Sequence, residues 1–85
     1  MNKLFSDRAF AEYLYWQTQD RKTLSKINRL LQSIERDGVL SGEGRPEKLK
    51  YRDGEYSRRI DDANRLVYKI DGNNINVISC RGHYE

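Results

Sequence analysis

The 85-residue chain sets 16 Lys and Arg against 13 Asp and Glu, a formal charge of +3, and it is 34% charged and 36% hydrophobic. That size fits one domain with a small core, and six Tyr, two Phe and one Trp give it enough packing surface to exclude a disordered chain. One cysteine excludes an intramolecular disulfide, no apolar run approaches the ~18 residues of a membrane span, and no apolar segment follows Met1, so a soluble, cytoplasmic protein is expected.

Residues 2–5 form a short, mildly apolar start suited to an edge strand. Ser6 can cap a helix, and Asp7 in the first turn suits the positive end of the helix dipole. Phe10, Tyr13, Leu14 and Gln17 then fall at helical spacing, with Trp16 beside that stripe. Asp20 reads as a second N-cap. Leu24, Ile27, Leu30, Leu31 and Ile34 follow at intervals of three and four, an amphipathic helix that Gly38 can stop. Two helices joined by so few residues should pack as an antiparallel pair.

The composition changes at residue 38. Ser41-Gly42-Glu43-Gly44-Arg45-Pro46 is a loop by its glycines and proline. Strand-like segments follow at 47–50, 55–61, 65–71 and 75–81, separated by Asp53-Gly54, Asp62-Ala63-Asn64 and Asp71-Gly72-Asn73-Asn74. Short connections imply antiparallel neighbours. The expected architecture is a single α+β domain over residues 1–85, a two-helix hairpin packed on one face of a twisted antiparallel sheet.

Strand alternation sorts the side chains. Leu66, Tyr68 and Ile70 should face the helices, and Tyr56, Arg58 and Ile60 share one face of their strand, leaving Arg59 and Arg65 for the open face. In the last strand Ile78 and Cys80 are expected inward, which sends Arg81 and His83 outward with the arginines. The basic cluster of residues 45–69, Arg58 included, suits a polyanion such as RNA, although charge alone favours an ordinary solvated face. Cys80 and His83 have a C-x-x-H spacing, but no second Cys or His exists to complete a zinc site.

The segments Glu12-Tyr13-Leu14-Tyr15-Trp16-Gln17, Arg45-Pro46-Glu47-Lys48-Leu49-Lys50, Ser57-Arg58-Arg59-Ile60, Arg65-Leu66-Val67-Tyr68 and Cys80-Arg81-Gly82-His83-Tyr84 occur in order along nearly the whole chain. Together they resemble the YoeB/Txe toxins of the RelE/ParE superfamily. The resemblance implies a RelE-like fold and a toxin that cuts messenger RNA in the ribosomal A site, without metal or cofactor. It also implies a YefM/Axe-type antitoxin as partner, and a capacity to form homodimers. Carried over residue by residue, it makes Glu47 the general base, His83 the general acid and Arg65 the stabiliser of the transition state. Lys50, Arg59 and Tyr84 become RNA-binding positions. The chain departs from the family pattern at Ala63, where relatives often carry an acidic residue, and at Glu85, one residue beyond the usual His-Tyr ending.

These residue types fit the chemistry. Attack by a ribose 2′-hydroxyl needs a base, the departing 5′-oxygen needs an acid, and the phosphorane-like transition state needs a fixed cation. Two other readings share parts of this pattern. One is a ParE-like toxin that inhibits DNA gyrase without nuclease chemistry, and the other is a non-catalytic RNA-binding module. The joint presence of Glu47, Arg65 and His83 favours the nuclease.

Overall fold

The computed structural model describes residues 1–83. Its elements are β1 (Asn2–Phe5), α1 (Asp7–Gln19), α2 (Arg21–Asp37), β2 (Glu47–Lys48), β3 (Tyr56–Arg59), β4 (Arg65–Asp71) and β5 (Asn74–Ser79). The sheet order is β1-β5-β4-β3-β2. The pairs from β2 to β5 are antiparallel, as expected of a meander, whereas β1 lies parallel to β5 at the sheet edge. The helical hairpin lets the chain leave that edge and return through the other strands.

Both helix starts follow their caps. Ser6 Oγ accepts from Ala9 N at 3.0 Å. Asp20 Oδ1 accepts from Lys22 N at 3.1 Å and from Thr23 N at 3.3 Å, and Thr23 Oγ1 donates to Asp20 Oδ2 at 2.9 Å. The Thr23 hydroxyl does most to hold the Asp20 carboxyl below its ordinary pKa.

α2 buries the expected stripe of Ile27, Leu30, Leu31 and Ile34 against Leu66, Tyr68, Ile75 and Val77 of the sheet. α1 is rotated from the expected stripe. Its inward residues are Ala9 and Trp16, with Tyr13 half-buried, while Phe10 and Leu14 are exposed. Ala9 has no side chain to hold the helix away from the sheet. Trp16 satisfies its indole by donating Nε1–H to Cys80 O at 2.9 Å. An apolar cleft lined by Phe5, Phe10, Tyr13 and Leu31 opens beside this outer surface.

β5 also departs from simple alternation. Tyr68 pairs with Val77 but Val67 pairs with Ser79, so Ile78 is an extra residue, a β-bulge. Ile75 and Val77 therefore face the helices. Ile78, expected inward, is only half-buried, whereas Cys80 is fully buried as expected.

Arg58 is the main correction to the basic cluster. It lies opposite Leu66 on the helix side and is completely buried. Its guanidinium donates to Tyr68 Oη, Ser33 Oγ and Glu43 O, each at 2.9 Å, and to Gly38 O and Ser41 O, each at 2.7 Å. All five N–H donors are engaged, Nη2 also reaching Val39 O at 3.4 Å, and most of the acceptors lie in the 38–43 loop. Arg58 belongs to the interior and is not available to a polyanion.

Candidate functional site

The far face of the sheet gathers most of the candidate site residues. Register places Glu47 opposite Ser57, Ser57 opposite Val67, and Val67 opposite Ser79, one continuous row across β2, β3, β4 and β5. Ser57, Val67 and Ser79 are buried, so this face has a dry floor rather than the wet surface that alternation alone suggests. The neighbouring row pairs Arg59 with Arg65.

Glu47 and Arg65 meet on this floor. Arg65 Nη1 lies 3.6 Å from Glu47 Oε1, and Ser57 Oγ donates to the same carboxylate oxygen at 3.4 Å. The Arg65 side chain is 24% exposed and that of Glu47 is 49% exposed, so both can reach a ligand from solvent. Arg65 Nε is buried and finds no hydrogen-bond partner among the described residues. A partly exposed guanidinium whose ion pair with Glu47 is long is suited to a phosphate.

His83 reaches the neighbourhood through the backbone. Arg65 N donates to Gly82 O at 3.0 Å, and Gly82 N donates to Asn64 Oδ1 at 2.7 Å. Gly82 turns there with φ +82°. His83, the next residue, is exposed. Arg59 is half-buried and forms an ion pair with Asp62, and Lys50 is exposed just beyond β2. Tyr84, expected to touch RNA, lies outside the described residues. Arg81 does not join the far-face arginines. Its guanidinium stacks 3.6 Å from the centre of the Tyr15 ring of α1.

Among the described residues no three His, Cys, Asp or Glu side chains gather as metal ligands. Cys80 is no nucleophile. Burial, with a smaller contribution from Glu12, pushes its thiol up to about 12, and Sγ points at Ala9 O, 3.6 Å away. Among the described residues no helix is long and apolar enough to cross a membrane.

The family model for YoeB-like toxins of bacterial type II toxin–antitoxin systems matches residues 5–84. The chain belongs to this family. Toxin YoeB of Synechocystis is 42% identical over 86 residues, covering 100% of this chain and 99% of that one. A YoeB dimer from Staphylococcus aureus superposes with a TM-score of 0.94 at 50% identity, covering 99% of this chain and 98% of that chain. A heterotetrameric YoeB–YefM toxin–antitoxin complex from the same organism gives a TM-score of 0.92 at 52% identity, with 99% and 98% covered.

Within this YoeB-like frame, the structure brings Glu47, Ser57 and Arg65 into contact, seats Arg59 alongside, and ties the segment before His83 to Arg65. Ser57 was missed by sequence reasoning. Its parity with Arg59 and its place two residues before it on the same strand were the available signal.

Proposed function

We infer that this toxin is a ribosome-dependent messenger-RNA endonuclease that cuts in the A site and thereby inhibits translation. The observation that carries the reading is the Glu47–Arg65 pair on the far face, with the chain leading to His83 fastened to Arg65. In the reaction, Glu47 takes the proton of the ribose 2′-hydroxyl. The 2′-oxygen attacks the neighbouring phosphorus, and the bond from phosphorus to the 5′-oxygen breaks. His83 gives its proton to that leaving oxygen. The products are a 2′,3′-cyclic phosphate and a 5′-hydroxyl. Arg65 faces the non-bridging oxygens as charge builds on them.

An incoming phosphate would compete with Glu47 for Arg65. Substrate binding would therefore draw the guanidinium onto the phosphate and leave the carboxylate to act as a base. Lys50, Arg59 and Tyr84 complete the RNA contacts in this reading. The open site gives little of its own to hold RNA in a near-attack geometry, and the ribosome supplies that by fixing the codon. A YefM-type antitoxin would silence the toxin by covering the far face.

Single-turnover cleavage of message on programmed ribosomes tests the reading. Glu47→Gln and His83→Gln should each slow cleavage by about 10²-fold or more while ribosome affinity stays near wild type. The cyclic phosphate should appear on the 5′ product. Wild-type rates in both variants, or inhibition of gyrase in place of message cleavage, would overturn it.

A further inference from the structure

A second cationic feature adjoins the site without entering the chemistry above. Lys26, Gly44, Arg45, Arg59 and Ile60 line an open cleft of about 360 Å³. Three of these five residues are cations, and Ile60 is the single large apolar one. The carboxylates paired with these cations are Glu43, which is 3.3 Å from Lys26 and 3.4 Å from Arg29, and Asp62, which pairs with Arg59; Asp61 follows the lining residue Ile60. Positive charge is in excess, and Arg45 forms no ion pair among the described residues.

Arg45 is held in an unusual backbone state. Its φ is +50°, the one positive value at a non-glycine among the described residues. That conformation is unfavourable for a residue with a Cβ. The surroundings impose it. Gly44 O accepts from Arg59 N at 2.6 Å, which pins the residue before Arg45 to the end of β3. A Cβ on Gly44 would lie 2.6 Å from Leu30 Cδ2, so the loop sits tightly on α2.

We propose that this cleft is a phosphate subsite for the RNA strand, one that holds a backbone phosphodiester adjacent to the scissile one. The proposal rests on the endonuclease reading for what lies next door. Two connections tie cleft and site together. Arg59 lines the cleft and is the cross-strand partner of Arg65. Arg45 precedes Glu47 by two residues, so their Cα atoms are at most about 7 Å apart. The lining offers charge for phosphate oxygens and no aromatic platform for a base, which makes recognition independent of sequence. An acidic protein segment carries similar charge, but a segment that folds on binding also needs apolar anchors, and Ile60 alone provides little.

The test is direct binding of a single-stranded RNA oligonucleotide with 2′-O-methyl riboses, which cannot supply the attacking hydroxyl. Fluorescence anisotropy is read over a range of salt for wild type and the Lys26→Ala/Arg45→Ala double variant. Each phosphate contact on a single strand contributes about 0.7 to the slope of log K against log salt. Losing the one contact this cleft makes should flatten that slope by about 0.7. For a purely ionic contact this corresponds to affinity about fivefold weaker at about 0.1 M salt, and about twofold weaker at about 0.3 M. Arg21→Ala, at the start of α2 and outside the cleft, should leave the slope unchanged.

An unchanged slope in the double variant overturns the subsite. So does a double variant that loses binding of a glutamate-rich peptide while keeping its RNA affinity, which would assign the cleft to a protein partner. Neither result touches the ribosomal cleavage assay of Glu47 and His83, so a failure of the subsite and a failure of the nuclease reading are told apart.

Discussion

Replacing Arg58 with methionine isolates what a buried cation contributes to this fold. The guanidinium is fully buried and uses all five donors, on Tyr68 Oη, Ser33 Oγ and the carbonyls of Gly38, Ser41 and Glu43. Methionine fills most of the volume but donates nothing. Each acceptor left dry would cost about 1–3 kcal/mol, but the loop can admit water, so the costs do not add in full. Removal of one member from a buried charged network typically costs about 3–5 kcal/mol, and about 4 kcal/mol is expected here. A domain of this size is stable by about 5–15 kcal/mol, so the variant should be folded but marginal. Arg58→Lys keeps the charge with three donors and should lose about half as much. Urea unfolding at unchanged m-value measures both. Native-state hydrogen exchange should also show the Glu43 and Arg59 amides losing protection, since these bind Ser33 Oγ and Gly44 O. A loss below about 1 kcal/mol in Arg58→Met would refute the reasoning, because it would mean the loop carbonyls find water at no cost.

Three further outcomes follow from the packing and the titrating groups. Leu66→Ala should cost about 2–5 kcal/mol in the same unfolding experiment, because Leu66 is fully buried beneath the helices. The Cys80 thiol should resist iodoacetamide at mildly alkaline pH until the protein unfolds. Its folded pKa is raised from 9.0 to about 12, so the stability linked to it is complete below 9.0 and is lost as pH rises toward 12. Asp20 has the opposite sign: its folded pKa is lowered, so its contribution is present above the ordinary carboxylate range and is lost as pH falls through it. The stability gap between wild type and Asp20→Ala should therefore narrow in acid, and a gap independent of pH would contradict capping by the ionised form.

Legibility in the sequence tracked how much of each choice was local. Caps at Ser6 and Asp20, the stripe of α2 and the span of β4 depend on neighbouring residues, and each was readable. The inward face of α1 was not, because the packing is decided by Ala9, a residue that hydrophobicity barely distinguishes. β1 was recognised as an edge strand, but its parallel pairing with β5 is set by the return path of the whole chain. The arginine pair on β3 makes the same point for the site. Arg58 and Arg59 are adjacent and chemically identical, and the pleat sends one to the interior and the other to the far face. Parity did group Arg58 with Tyr56 and Ile60, but composition counted it with the surface cations. A buried Arg becomes expected only once the acceptors that converge on it are known.

The bulge at Ile78 shows how a fold-level irregularity can position a site that alternation would misplace. Val77 faces the helices, so strict period two would send Ser79 inward and Cys80 outward. One extra residue reverses this: Ser79 joins Val67 on the far face, and Cys80 turns under α1. There Cys80 N donates to Glu12 Oε1 at 2.8 Å and Cys80 O accepts from Trp16. Two side chains of α1 therefore grip the end of β5 at one residue. From that fixed point the chain has two residues to reach Gly82, whose carbonyl takes the Arg65 amide. The exit path of the C-terminal segment is thus set by α1 and by the bulge, not by the far face itself. In the proposed reaction this separation is useful. His83 can stay exposed, where a leaving 5′-oxygen of an external strand can meet it, while the backbone before it is tied to α1 and to Arg65.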